Sequence, residues 1–259
     1  MRAAFLGCTK FSEDLLKSII EANSCKLVCI CTIPEEFKIN YSDKPVRNTN
    51  YANLEPYATK LGIPHFSIHS EEGKKLIDYL PQIEALNPDV ILVLGWYYMV
   101  PKQIREKVKH GAWGIHASLL PNYAGGAPLV WAIIEGQTKT GVTLFKLDDG
   151  VDDGDIIMQE EFEIKDTDHI AQVYDKATVA SIRILNDALR LGDKVVYKPQ
   201  DKTKIKIYGQ RKPADGEIDL SWEAKRIYDF VRAQSSPYPG AFIKTSDGKK
   251  IYLDKIRIE

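Results

Sequence analysis

DVILVLGW, residues 89–96, is the stretch whose reading decides the fold. An unbroken apolar run of this length, rich in β-branched residues and interrupted by a glycine, fits a strand buried on both faces. Such strands belong to parallel sheets with helices on either side. RAAFLG (2–7) and KLVCICTI (26–33) have the same character, and between them 11–22 places Leu15, Leu16, Ile19 and Ile20 on one helical face. The polar stretch 34–50 reads as a long loop. Helices are expected at 51–61 and 71–85, with a short strand at 64–66 between them. Beyond the central run come a short helix after Pro101, a strand at 112–115 and a helix at 128–134. A strand pair at 141–147 and 155–164 surrounds the turn DDGVDDG (148–154), and a long helix covers 168–191. The expected fold class is α/β: a Rossmann-like, mostly parallel sheet in a catalytic domain spanning 1–195. After a polar, basic connection, residues 206–259 read as a small mixed α+β domain. It holds a helix at 221–233, the turn SSPYPGAF (235–242) and a hairpin around SDGKK (246–250).

With 259 residues, 44 % of them hydrophobic and 27 % charged, the chain can bury a sizeable core. A formal net charge of −1 argues against nucleic acid as the principal partner. No apolar run approaches the roughly 18 residues that span a bilayer. The start, MRAAFLGCTKFSEDLL, meets polar residues too early for a secretory segment, so a cytoplasmic location and no membrane partner are expected. Cys8, Cys25, Cys29 and Cys31 show no zinc spacing and read as buried free thiols; no metal is expected.

Ligands of open α/β sheets sit beyond the carboxyl ends of the strands. Three segments end there: the region of Trp96, the turn 148–154, and WGIHASLLPNYAGGAP (113–128). In the last of these His116 closes an apolar strand, a loop of small residues follows, and Pro128 opens a helix. A lone histidine is more often structural than reactive, but a plain strand-to-helix turn does not need so long a connection. The acidic turn lacks the calcium-loop spacing. A carboxylate from it placed beside a histidine would orient the imidazole and stabilise its protonated form. No dinucleotide, P-loop, nucleophile-elbow or zinc-protease motif occurs. Pattern alone stops at a site of unstated chemistry.

IHASLLPxYxGGAP (115–128) followed by TGVTLFKLDDGVDDGDII (140–157) resembles the 10-formyltetrahydrofolate-dependent formyltransferases, and the likeness runs to about residue 190. QRKPADGEIDLSWEAKRIYDFVRAQSSPYPGAF (210–242) is similar to the start of the C-terminal domain of the tRNA and amino-sugar members. The resemblance implies catalysis by an asparagine, a histidine two residues on, and an aspartate from the acidic turn. His116 and Asp152 match; Gly114 stands where the asparagine is expected. That amide aims at charge developing on the formyl oxygen, and here it is either replaced by a backbone N–H, a water or Asn122, or done without.

The resemblance further implies N10-formyltetrahydrofolate as cosubstrate. Leu94, Trp96, Met99, Val100, Asp148, Gly150 and Asp152 are the candidate cofactor-binding residues. Thr9, Lys10, Phe11, Ser12, Ser118, Tyr123 and Gly125 are the candidates for holding the acceptor; Ala124 replaces an arginine that the family often carries in the loop. The short C-terminal domain and near-neutral charge favour a nucleotide-linked amino deoxysugar as the acceptor, with a formamido sugar for a surface glycan as the product. The alternatives are methionyl-tRNA, read from the basic cluster Lys202, Lys204, Lys206, Arg211 and Lys212, and hydrolysis of the formyl-folate, read from Gly114. A fold that has lost catalysis and only binds is the non-enzymatic reading. The edge strands of the C-terminal hairpin could pair with a second copy to form a homodimer.

Overall fold

The computed structural model describes residues 1–38, 45–69 and 75–259. Strand β1 (Arg2–Leu6), helix α1 (Lys10–Ala22) and strand β2 (Lys26–Thr32) make a parallel crossover. Two short strands, β3 (Glu36–Phe37) and β4 (Val46–Arg47), pair inside the stretch read as a loop; its residues 39–44 lie outside those described. Helix α2 (Glu55–Leu61) starts later than the pattern suggests. The backbone before it is already spent on β1's end: Tyr51 bridges to Thr9, and the Ala52 N–H donates to the Cys8 carbonyl at 3.1 Å. Strand β5 (His65–Ser67) follows. Of the helix expected at 71–85, residues 71–74 lie outside the described ones, and the rest is a 3₁₀ turn, Leu76–Tyr79, leading into helix α3 (Leu80–Ala85).

Next come strand β6 (Val90–Val93), helix α4 (Lys102–Arg105), strand β7 (Ala112–His116), the short strand β8 (Ala124–Gly125) and helix α5 (Pro128–Ile134). Strands β9 (Lys139–Lys146) and β10 (Ile156–Glu163) precede the long helix α6 (Ile170–Leu191). The chain then runs through strand β11 (Ile207–Tyr208) to helix α7 (Ala224–Ala233) and a hairpin of β12 (Ala241–Lys244) and β13 (Lys250–Leu253).

Seven strands form one sheet in the order β10-β9-β7-β6-β1-β2-β5. All its pairings are parallel except those of β9, which runs against both neighbours. Successive residues of β1 face opposite cores: Ala3 and Phe5 pack with α1 and α6, whereas Ala4 and Leu6 pack with Ile83 of α3 and Ile104 of α4. Covering both faces is what makes such strands apolar throughout. A separate small core of Ile218, Phe230, Val231 and Ala241 organises the C-terminal segment. Arg232 of α7, almost fully buried, donates to Asp229 (2.7 Å) and to the carbonyls of Lys165 (3.1 Å) and Asp168 (2.9 Å), tying this segment to the turn before α6.

The strand order reverses at β1, with β2 on one side and β6 on the other, so the ligand crevice is expected at their carboxyl ends. β6 ends at Val93, not at residue 96, because Gly95 takes a left-handed φ of +65°. That turn lets the Gly95 carbonyl accept from Cys8 N at 3.2 Å and the Leu94 carbonyl accept from Ser12 Oγ at 2.5 Å. A Cβ on Gly95 would lie 2.1 Å from Thr9 Oγ1. Gly95→Ala therefore meets both backbone strain and overlap and should cost at least about 2 kcal/mol in urea unfolding. A loss below about 0.5 kcal/mol, the range of an ordinary surface change, would contradict this packing.

Candidate active site

β7 delivers His116 to the crevice with 9 % of its surface exposed. Its Nε2 donates to the Tyr123 carbonyl at 2.7 Å, and its Nδ1 lies 3.4 Å from Asp152 Oδ2. The same carboxylate oxygen accepts the Gly125 backbone N–H at 2.8 Å. The two ring nitrogens thus face two oxygens, the Tyr123 carbonyl and the Asp152 carboxylate. Asp152 reaches this place from a left-handed backbone, φ +50°, a conformation that costs a non-glycine residue about 1–2 kcal/mol.

The small-residue loop after His116 is fastened from both sides. Thr143 Oγ1 of β9 donates to the Ser118 carbonyl (2.6 Å) and accepts from Leu120 N (3.1 Å). Gln159 of β10 donates to the Leu120 carbonyl at 2.9 Å. The two adjacent glycines have a clear use. β11 lies parallel to β8, and a Cβ on Gly125 would sit 2.5 Å from the Tyr208 carbonyl oxygen. One on Gly126 would sit 2.5 Å from Gln210 Cα. The connection between the two parts of the chain therefore lies directly against the loop that follows His116.

Gly114 pairs with Val93 and Phe145 in the sheet. A Cβ there would meet Leu147 Cδ2 at 2.9 Å, so the Leu147 side chain covers the place from which an asparagine amide would project. Asn122, considered as a substitute, is exposed; its backbone carbonyl accepts from Ser118 Oγ at 2.6 Å.

Among the candidate cofactor residues, Leu94 and Val100 are buried and Met99 is 85 % exposed. Trp96 packs edge-on to Tyr98 (6.1 Å), which stands edge-on to Phe37 (5.6 Å). Among the described residues the buried Trp96 indole N–H has no hydrogen-bond partner, a donor of the kind that reads a heterocycle's edge. These side chains fit a flat, polar-edged ring system such as a pterin. Asp148 and Gly150 are exposed on the turn. Arg105 braces this side: it donates to the carbonyls of Val100 (3.2 Å) and Leu147 (3.0 Å) and to Asp149 (2.5 Å). Arg105 and then Lys102 hold the Asp149 carboxyl below its usual range. A cleft of about 350 Å³ opens on the outer side of this turn, between Lys102, Arg105 and Lys109 and the segment Lys146–Asp149. Among the described residues no three His, Cys, Asp or Glu side chains cluster to hold a metal.

The candidate acceptor residues are only partly gathered. Thr9 caps α1, accepting from Ser12 N at 3.1 Å, and Ser12, fully buried, accepts from Cys8 N and Thr9 N (3.2 and 3.1 Å). Their hydroxyls serve the switch-point turn, leaving Lys10 exposed and Phe11 half-buried. Ser118 is also fully buried. Tyr123 lies nearer the surface, its ring 4.9 Å from Tyr208 and its hydroxyl donating to Glu135 at 2.7 Å; burial, then that carboxylate, pushes its pKa up. Ala124, at the family's arginine position, is fully buried.

Arg105, Leu147, Tyr208 and Gln200 shape the site without any sequence signal marking them. Gln200 is buried and donates from Nε2 to the carbonyls of Asp152 (2.8 Å) and Gly154 (2.7 Å).

Residues 1–189 match the formyl transferase family and residues 211–259 match the formyl transferase C-terminal domain. The chain belongs to the formyl transferase family. It is a formyltransferase, and the family uses formyl-tetrahydrofolate. A methionyl-tRNA formyltransferase of Thermodesulfovibrio yellowstonii is 31 % identical over 92 % of this chain and 74 % of its own length. Among solved structures, a 4-N formyltransferase from Francisella tularensis has a TM-score of 0.73 at 17 % identity, covering 100 % of this chain and 98 % of that one. The sugar 3N-formyl transferase WlaRD, solved with dTDP and 5-N-formyl-THF, has a TM-score of 0.66 at 16 % identity over 90 % of this chain and 78 % of its own. The formyltransferase departs from the pattern expected for its relatives at Gly114, and Leu147 is the physical counterpart of that departure. Gly114→Asn should cost about 1–3 kcal/mol in thermal or chemical unfolding by overpacking. Adding Leu147→Ala should return most of the loss relative to Leu147→Ala alone; additive effects of the two changes would contradict the overlap.

Proposed function

We propose that the protein transfers the formyl group of N10-formyltetrahydrofolate to the amine of a nucleotide-linked amino deoxysugar. The contact between His116 and Asp152 supports the transfer chemistry. The acceptor amine bonds to the formyl carbon as the bond from that carbon to N10 breaks, and the proton the amine loses ends on N10 of the released tetrahydrofolate. His116, oriented by Asp152 and by the Tyr123 carbonyl, carries that proton on Nδ1 between the two nitrogens. The donor, when bound, supplies the formyl carbon; Trp96, Val100 and Met99 would wall its pterin, with the Trp96 N–H toward its edge. Negative charge develops on the formyl oxygen in the transition state. With Leu147 over Gly114, the polar group left to face that charge is the protonated imidazole rather than a side-chain amide.

The observation that carries the choice of acceptor is electrostatic. Three of the five cations of the basic cluster are engaged by groups of the protein itself, although its lysines stay on the surface. Lys202 pairs with Asp153 at 2.8 Å, which raises its pKa, and Lys204 pairs with Asp201 at 3.2 Å. Arg211 turns inward, donating to the Asp215 carbonyl (2.5 Å) and to Gln234 (3.0 Å); burial lowers its pKa. tRNA binding depends on cations free to neutralise phosphates, whereas a nucleotide-sugar offers only two. The sugar-modifying structural neighbours point the same way. Methionyl-tRNA is the second reading, favoured by the 31 % identical relative. The four free cysteines fit a reducing, cytoplasmic setting.

Formyl transfer from 10-formyltetrahydrofolate to UDP-, dTDP- and GDP-linked amino sugars, with charged Met-tRNA and water as competing acceptors, tests this assignment. Turnover of one sugar class is expected. Turnover of Met-tRNA alone, or release of formate alone, would overturn it. His116→Ala should lower transfer by about 10²–10⁴-fold while donor binding persists. Transfer unchanged by His116→Ala would remove the imidazole from the chemistry.

A further inference from the structure

We propose that Gln200, in the segment connecting the two parts of the chain, is a positioning residue for the Asp152 carboxylate. The inference rests on the formyl-transfer reading for its kinetic consequences only; its structural content stands on the contacts themselves. The turn that carries Asp152 is unusual in two ways. Asp152 is a non-glycine residue at φ +50°, and at Gly154 a Cβ would lie within 1.8 Å of the Lys146 carbonyl oxygen, so the chain there is pressed against β9. A backbone of this kind persists only where its surroundings hold it.

Gln200 supplies that hold. Its amide nitrogen donates to the carbonyls of both Asp152 and Gly154, bracketing the turn from a segment 46 to 48 residues away in sequence. Two acceptors at one nitrogen fix which end of the amide faces the turn, since a carbonyl cannot donate. The bonds are buried, where losing a donor leaves two carbonyls unsatisfied. The neighbouring contacts come from the same side: Lys202 pairs with Asp153, and strand β11 lies on the loop whose Gly125 N–H meets Asp152. The other charged groups of the turn are engaged elsewhere, Asp149 with Lys102 and Arg105, and Asp148 at 3.9 Å from Lys202. No other side chain donates to the Asp152 carbonyl among the described hydrogen bonds. The carboxylate that orients His116 is thus set from outside the catalytic domain's own sheet, through Gln200.

Gln200→Met keeps the side chain's length and removes the donor. Because a displacement of about 1 Å in an active site can cost up to about 10²-fold in rate, Gln200→Met should lower kcat by about ten- to a hundredfold and leave the KM for the formyl donor within twofold. The change should be absorbed by Asp152: Asp152→Ala/Gln200→Met should turn over no more slowly than Asp152→Ala, as expected for two residues acting as one unit. A crystal structure of Gln200→Met reports independently of any activity. It should show the separation of His116 Nδ1 from Asp152 Oδ2 opened beyond 3.4 Å. Multiplying rate losses in the double variant, or an unmoved carboxylate in the Gln200→Met crystal, would overturn the proposal. Absence of formyl transfer by the unaltered protein would instead overturn the functional reading and leave the crystallographic test in force.

Discussion

One carboxylate oxygen joins three parts of the chain that sequence keeps far apart. Asp152 Oδ2 faces the imidazole at the end of β7 and accepts the backbone N–H of Gly125 in the following loop, while its own turn belongs to the hairpin of β9 and β10. Remove that oxygen and the Gly125 N–H loses its acceptor in a mostly buried place, where an unpaired polar group costs about 1–3 kcal/mol, and the imidazole loses its carboxylate. The left-handed backbones of Tyr123, Ala127 and Asp152, which surround it, are each unfavourable alone. Gln200 holds the turn at Asp152, and Thr143 and Gln159 fasten the loop at Leu120, before Tyr123. Strain and restraint are thus arranged around a single ionisable pair.

The rest of the architecture makes this arrangement possible. Reversal of strand order at β1 sets the switch point, and Gly95 and Ser12 fix the turn that leads from β6 to Trp96. Antiparallel β9 brings the acidic turn back over Gly114 rather than away from it, because Leu147 N donates to the Ala112 carbonyl at 2.8 Å and keeps the chain close to β7. The same course puts the Leu147 methyl groups where an amide would stand. The glycine at 114 and the leucine at 147 are therefore one feature of the site, visible as such only in three dimensions.

Much of the fold was legible because the physics that forms it is local or periodic. Doubly covered strands read as apolar runs, and α1 announced itself by one-sided periodicity. His116 and the acidic turn stood out by the composition around them, and the resemblance singled out Asp152 within that turn. What escaped was set by tertiary contact. Nothing about the dipeptide Pro199–Gln200 marks it as a clamp, since its meaning lies in two carbonyls more than forty residues away. Arg105 looks like any helix-surface cation until its guanidinium is seen bridging Val100 and Leu147. Thr9 and Ser12 looked like ligand contacts because they follow β1, yet the helix cap consumes their hydroxyls. The stretch 34–50 read as featureless, although Asn48, nearly fully buried, donates to the Cys8 carbonyl (2.9 Å) and fastens it to the switch point.

The central claim is that the imidazole–carboxylate pair confronts a one-carbon group carried by a pterin. The most direct measurement is a crystal structure of the protein soaked with 5-formyltetrahydrofolate. Density for the pterin against Trp96 and Val100, with the carbon-bearing end directed at His116 and Asp152, is the predicted result. Density confined to the cleft on the far side of the acidic turn, between Lys109 and Lys146, would contradict the account.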